Sequence, residues 1–218
     1  MNSVFVTGTD TDVGKTRISV AIIELLQRQG KRVAAMKPIA SGCELTIDGL
    51  RNDDAVQLSQ QANVDLPYQL INPYAFEPAI APHIAAGQVN ATIEVAVIKQ
   101  NFDLIQQQSD AVVVEGAGGW LVPLNQTETM ADLAISLDLP VILVVDIRLG
   151  CINHALLTVT AIESTGLKLQ GWIANNFGQN PESIDIVETL TQRIWAPCLG
   201  YVPRLEDNES AADYLVLN

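Results

Sequence analysis

Short apolar runs rich in β-branched residues, at 3–7, 32–36, 111–115, 141–146, 171–175 and 199–202, alternate along the chain with segments of helical period. Nothing else constrains the fold as strongly, because this alternation is the pattern of βα units building a parallel sheet. In Val112-Val113-Val114 and Val141-Ile142-Leu143-Val144-Val145 the apolar residues are continuous, as strands covered by helices on both faces require. The expected helices span 14–28, 53–61, 92–108, 130–137, 152–164 and 181–194. In the first, Ile18, Ala21, Ile22, Leu25 and Leu26 carry one buried face, and Gly30 stands where a C-terminal cap belongs. The pattern predicts an α/β fold in three layers, a central, mostly parallel sheet with helices on both faces. No repeat or break in composition marks a second domain, so residues 1–218 read as one. The stretch 67–88, interrupted by Pro67, Pro73, Pro78 and Pro82, reads as a long irregular loop over a sheet edge.

Twelve Lys plus Arg against 25 Asp plus Glu give a net charge of −13. Such a balance argues against nucleic acid and anionic membrane as partners, since phosphate binding is driven largely by Lys and Arg releasing counterions. No apolar run approaches the ~20 residues of a membrane span. Met1-Asn2-Ser3-Val4 lacks the basic segment of a secretory leader. Cys43, Cys151 and Cys198 form no C-x-x-C pair, which suits reduced thiols in the cytoplasm. His83 and His154, the only histidines, offer little from which to build a His/Cys zinc site.

The first strand runs through Gly8-Thr9-Asp10-Thr11-Asp12-Val13-Gly14-Lys15-Thr16 directly into the first helix. Strand, loop and helix in this order cradle a phosphate, since backbone N–H groups and the helix N-terminus both present positive potential. Lys15 supplies a point charge for the β and γ phosphates, and the Thr16 hydroxyl suits Mg²⁺. Five residues instead of four separate Gly8 from Gly14, so the loop is a variant of the usual P-loop. Mg²⁺ calls for further hard oxygen ligands, and Glu115, at the end of a strand and before Gly116-Ala117-Gly118-Gly119, is well placed. Asp53 and Asp54 are a second carboxylate source, with Asp53 also suited to cap a helix. Lys37, after the second strand, is placed to neutralise charge on a transferring phosphoryl group.

These motifs, with Lys37-Pro38-Ile39-Ala40-Ser41-Gly42, Arg51-Asn52-Asp53-Asp54-Ala55, Leu149-Gly150-Cys151-Ile152-Asn153-His154-Ala155 and Gly171-Trp172-Ile173-Ala174-Asn175, resemble those of the dethiobiotin synthetases, whose fold is that of the P-loop NTPases. The resemblance covers nearly the whole chain and fades after Asn176. It implies an ATP-dependent ligase of biotin biosynthesis that joins 7,8-diaminononanoate and CO₂ into dethiobiotin, releasing ADP and phosphate. It further implies Mg²⁺ on Thr16, Asp54 and Glu115, with Lys37 and Lys15 catalytic. The nucleotide would be held by Asp12, Val13, Gly14, Lys15, Thr16, Arg17, Asp54, Glu115, Gly116, Ala117 and Gly118. Asn175 and Asn176 would read adenine, and Pro203, Arg204 and Leu205 would line its far side. Thr11, Lys37 and Ser41 would meet the diamine. Leu149, Gly150, Cys151, Ile152 and Asn153 would receive its carboxylate across a homodimer with composite sites. A second buried face on the helix carrying Ile152, Ala155, Leu156, Leu157, Val159, Ala161 and Ile162 fits such a dimer. Asp12 stands where the family usually has Glu, and the acidic position near Glu209 has no assignment. The alternative is a partitioning-type switch ATPase acting through protein partners; its extra loop lysine is missing from Gly8 to Val13.

Overall fold

The structure, a computed structural model, describes residues 3–206 and 209–217, so Met1 and Asn2, on which the reading of a missing leader partly rests, lie outside the described residues. In chain order the elements are β1 (Val4–Gly8), α1 (Lys15–Arg28), β2 (Val33–Met36), β3 (Ile39–Ser41), β4 (Glu44–Thr46), β5 (Gly49–Arg51), α2 (Asp53–Gln61), α3 (Tyr68–Ile71), β6 (Tyr74–Phe76), α4 (Pro82–Gln88) and α5 (Val95–Gln106). Then follow β7 (Ala111–Gly119), α6 (Met130–Leu137), β8 (Val141–Asp146), α7 (Cys151–Ser164), β9 (Leu169–Asn175), α8 (Ser183–Arg193), β10 (Cys198–Val202) and a 3-10 turn at Ala211–Tyr214.

Among the described residues, six strands form one sheet in the order β10, β9, β8, β1, β7, β2, and every neighbouring pair is parallel. The strands are apolar on both faces because each face has its own cover. Val4, Val6, Val113, Ile142 and Val144 pack with Ile18, Ile22 and Leu26 of α1. Phe5, Val112, Val114, Leu143 and Val145 pack with side chains of α5, α6 and α7 on the opposite side. This is the expected three-layer arrangement. From β1 the chain leaves for one edge through β2, and after β7 it builds the other edge through β8, β9 and β10. A reversal of this kind opens a crevice beyond the carboxyl ends of the central strands.

Helix α1 ends as its sequence requires. Gly30 has φ 80°, and the N–H groups of Gly30 and Lys31 bond the carbonyls of Gln27 and Leu26 at 2.8 and 3.3 Å, the double bond of a Schellman cap.

Four expectations need correction. The stretch 67–88 is not a loop: it holds α3, β6 and α4, and β6 pairs in parallel with β3 through Ile39–Tyr74 and Ser41–Phe76. Two of its prolines stand at helix starts instead of breaking helices, Pro67 just ahead of α3 and Pro82 opening α4, where a missing N–H costs nothing. Strand β7 does not stop at Glu115 but continues to Gly119, since glycine can still pair with β1 there. The helix expected at 92–108 is shorter, Val95–Gln106. Asn52, not Asp53, caps α2 by accepting the Ala55 N–H at 3.2 Å. Among the described residues no helix is long and apolar enough to cross a membrane.

Candidate active site

The loop between β1 and α1 is folded too tightly for side chains at its glycines. Gly14 has φ 90°, and a Cβ there would lie 2.2 Å from the Asn175 amide nitrogen. That nitrogen donates to the Val13 carbonyl at 2.9 Å, so the end of β9 buttresses the loop. Asp12 is left-handed at φ 58°, a conformation Asp adopts more readily than most residues. No side chain caps the first turn of α1, which leaves its N–H groups facing the crevice. The Lys15 ammonium folds back onto the Asp10 carbonyl at 2.8 Å. Arg148 holds the Asp10 carboxylate at 3.0 Å while bonding Asp146 at 3.2 Å, which joins the loop to the end of β8.

Beside Lys15 lies an ionic cluster. Lys37, carried by the end of β2, places its ammonium 2.6 Å from Glu115 Oε1 and 2.9 Å from Asp54 Oδ2. The Thr16 hydroxyl donates to the same Glu115 oxygen at 2.9 Å. Burial works against the Lys37 ammonium, but the charges of Glu115 and Asp54 outweigh it and hold its pKa above the ordinary lysine value. Burial likewise disfavours ionised Asp54, yet Lys37 keeps its carboxyl below the usual range. Among the described residues no carboxylate pairs directly with Lys15. Burial, reinforced by the neighbouring Lys37 charge, lowers its pKa from 10.5 to about 8.

These groups line a cleft of about 890 Å³, together with Thr11, Asp12, Gly14, Arg17, Ser41, Ala117, Gly118 and Asn175. Three of its buried polar atoms have no hydrogen-bond partner among the described residues: Glu115 Oε2, Ser41 Oγ and Asn175 Oδ1. Among the described residues no cluster of three or more His, Cys, Asp or Glu side chains gathers. Two carboxylates and a hydroxyl suit a hard cation that keeps several waters, as Mg²⁺ does, and the free Glu115 oxygen fits that use.

Other expected residues stand outside the cleft walls. The Asn176 amide is engaged within the chain, donating to the Tyr201 hydroxyl at 2.7 Å and accepting the Asn180 N–H at 2.8 Å. Gly116 packs over Phe5, the Pro203 carbonyl accepts from Arg17 at 3.5 Å, and Leu205 packs toward the α1 layer. The 149–153 segment does not line this cleft. Leu149 is 96% exposed, Cys151 is buried, and Gly150 is left-handed at φ 92°. Ile152, Leu156 and Ala161 of α7 pack partly against the core, but Leu157 is 62% exposed and, with Ala161, Leu121 and Pro123, lines a shallow recess beside Thr9 and Asp10. Glu209, unassigned from sequence, accepts from the Glu206 N–H and the Tyr214 hydroxyl and lies near enough to Arg17 to oppose the effect of burial on that guanidinium.

Sequence reasoning missed Phe177, Ile80, Asn52 and Val122, which also line the cleft. An aromatic residue directly after Asn175-Asn176 was the available signal for Phe177. Ile80 was obscured by its place in the supposed loop.

A family model described as "AAA domain" matches residues 2–212. The chain is 49% identical to the ATP-dependent dethiobiotin synthetase BioD of Pseudomonas aeruginosa strain UCBPP-PA14, covering 97% of this chain and 94% of the relative. It is 46% identical to BioD 1 of Escherichia coli O157:H7, covering 98% and 96%. Among solved structures, the MinC:MinD cell division complex of Aquifex aeolicus superimposes with a TM-score of 0.60 at 18% identity, over 94% of this chain and 82% of that one, a likeness of fold alone.

Proposed function

The chain belongs to the ATP-dependent dethiobiotin synthetases, and from that premise we propose how its cleft performs the ligation. It is an ATP-dependent ligase of biotin biosynthesis with the P-loop NTPase fold, and the partitioning-type switch ATPase is not favoured. The observation that carries the proposal is Lys37 held between Asp54 and Glu115 next to the phosphate loop.

One amine of 7,8-diaminononanoate takes up CO₂ as a carbamate, whose oxygen attacks the γ-phosphate and releases ADP. The second amine then attacks the carbamoyl carbon, expels phosphate and closes the ureido ring. A carbamate approaching a triphosphate brings two anions together, and Lys15 and Lys37 offset that repulsion while fixing the line of attack. Thr16, Asp54 and Glu115 would hold Mg²⁺, which when bound supplies charge neutralisation at the phosphates. In the free cleft the carboxylates beside Lys37 favour its ammonium form. Ser41, whose buried hydroxyl oxygen lacks a partner among the described residues, would bond the diamine, as would Thr11 of the same cleft. Asn175 Oδ1 would accept from the adenine amine, while Asn176 would shape that end indirectly through Tyr201.

The reading extends to a homodimer formed by single-domain chains of residues 1–218. The uncovered Leu157 and Leu121 support it, since pairing would bury them beside Thr9 and Asp10. The Leu149–Asn153 start of α7 would then reach the partner's cleft. Three free cysteines and the acidic balance support a cytoplasmic setting. The function is tested by incubating the protein with diaminononanoate, bicarbonate, Mg²⁺ and ATP, with dethiobiotin expected by mass spectrometry; ATP hydrolysis that proceeds equally without the diamine would overturn it.

A further inference from the structure

We propose that Phe177 is the base-stacking residue of this cleft. The proposal rests on the reading of the cleft as the ATP site. Phe177 follows β9 in a turn, lines the cleft and is 61% exposed, so its ring is open to a ligand. Two guanidinium groups flank it, with the Arg17 and Arg204 carbons 6.0 and 5.9 Å from the ring centroid. Arg17 belongs to the first turn of α1 and Arg204 to the segment after β10, so three separate parts of the fold converge on this ring.

The direction of the nucleotide follows from the site. Its phosphates belong at Lys15 and the start of α1, with the terminal one toward Lys37 and Glu115. Its other end must therefore leave past Gly14, and Asn175 closes on Gly14 from the side where Phe177 stands. At that end the two side-chain amides are largely engaged. The Asn176 amide is bonded to Tyr201 and Asn180, and the Asn175 nitrogen to the Val13 carbonyl. Asn175 Oδ1 is left as an acceptor, and a single acceptor suits the exocyclic amine or ring N–H of several bases. What the wall does offer is a π face. The guanidinium contacts lie at the outer limit of a cation–π interaction, so they are weak enough to yield to a stacked base, and the arginines remain to neutralise the phosphates' field.

The test compares ADP with inorganic tripolyphosphate, which has the phosphate charge and no base, by calorimetry on the full chain. In Phe177→Ala, ADP affinity is expected to fall roughly tenfold while tripolyphosphate stays within about twofold; Phe177→Trp is expected to restore ADP binding and to report it by quenching. An unchanged ADP affinity in Phe177→Ala overturns the stacking role, as does an equal loss for both ligands, which would mean a disturbed loop. Wild-type protein that binds neither ligand overturns the ATP reading itself and the stacking proposal with it.

Discussion

The Lys37 ammonium lies 2.6 Å from a carboxylate oxygen of Glu115, a residue with no solvent-exposed surface, and the two reach each other from neighbouring parallel strands. Such a pair gains little over an apolar contact when intact but is costly to break, because the survivor is a buried charge without a counterion. Lys37→Ala is therefore expected to lower stability by about 3–5 kcal/mol in urea denaturation. Adding Glu115→Gln should recover much of the loss. Purely additive losses in the double-mutant cycle would mean that the two groups are not coupled.

Catalysis at Lys37 is separable from this structural role in Lys37→Gln, which keeps a hydrogen-bond donor. ATP binding should remain measurable while ring formation falls by orders of magnitude, since the missing charge faces the transferring phosphoryl group. Turnover within a few-fold of wild type would remove Lys37 from the chemistry.

Asp54→Asn and Glu115→Gln each withdraw a hard anionic oxygen, so each should raise the Mg²⁺ concentration needed for half-maximal activity. The measurement is a Mg²⁺ titration at saturating ATP. Curves that superimpose on wild type for both variants would contradict the assigned metal ligands.

Lys15 gives the free protein a pH dependence. Its folded-state pKa, about 8, lies below the ordinary 10.5, so the ammonium is charged in folded and unfolded chains alike below pH 8, and the folded form deprotonates first above it. Between about 8 and 10.5 this group makes stability rise with pH, while phosphate affinity falls for want of the positive charge. With metal chelated, ADP binding should weaken as pH passes 8 and should take up a proton, visible as a buffer-dependent calorimetric enthalpy. Absence of proton uptake at pH 8.5 would show that Lys15 stays protonated.

Composite sites predict complementation. Mixing an inactive Lys37→Ala chain with an Asn153→Asp chain, whose added charge repels the substrate carboxylate, should restore partial activity, because each mixed dimer holds one intact site. Subunit exchange confirmed by mass spectrometry, with no activity regained, would rule out sharing.

The sheet and most of the cleft were legible in the sequence because both depend on local pattern. Continuous runs such as Val141–Val145 are tolerated only between two helical layers, and the Gly8–Thr16 loop carries its own strand and helix as context. What could not be read depends on distant partners. β6 exists because β3 lies alongside it, and proline at 67 and 82 looks the same whether it starts a helix or interrupts one. The engagement of Asn176 needed Tyr201, and the prominence of Phe177 needed Arg17 and Arg204. None of these neighbours is adjacent in sequence.

The position of β1 between β7 and β8 also governs how the molecule comes off the ribosome. The phosphate loop is synthesised well before its strand can pair, since Val6 meets its sheet partners only once Glu115 and Ile142 have been made. The layer over α1 is sealed later still, when Asp213 reaches Arg28 at 2.8 Å and Ser210 reaches Glu24 at 2.6 Å. Until β7 is made, the nascent chain carries Val4, Phe5 and Val6 with both strand edges open, a template for wrong pairing. A premature stop ahead of Ala211 would remove Ala211, Ala212 and Leu215 from the apolar layer they share with α1, uncovering that edge of the helix.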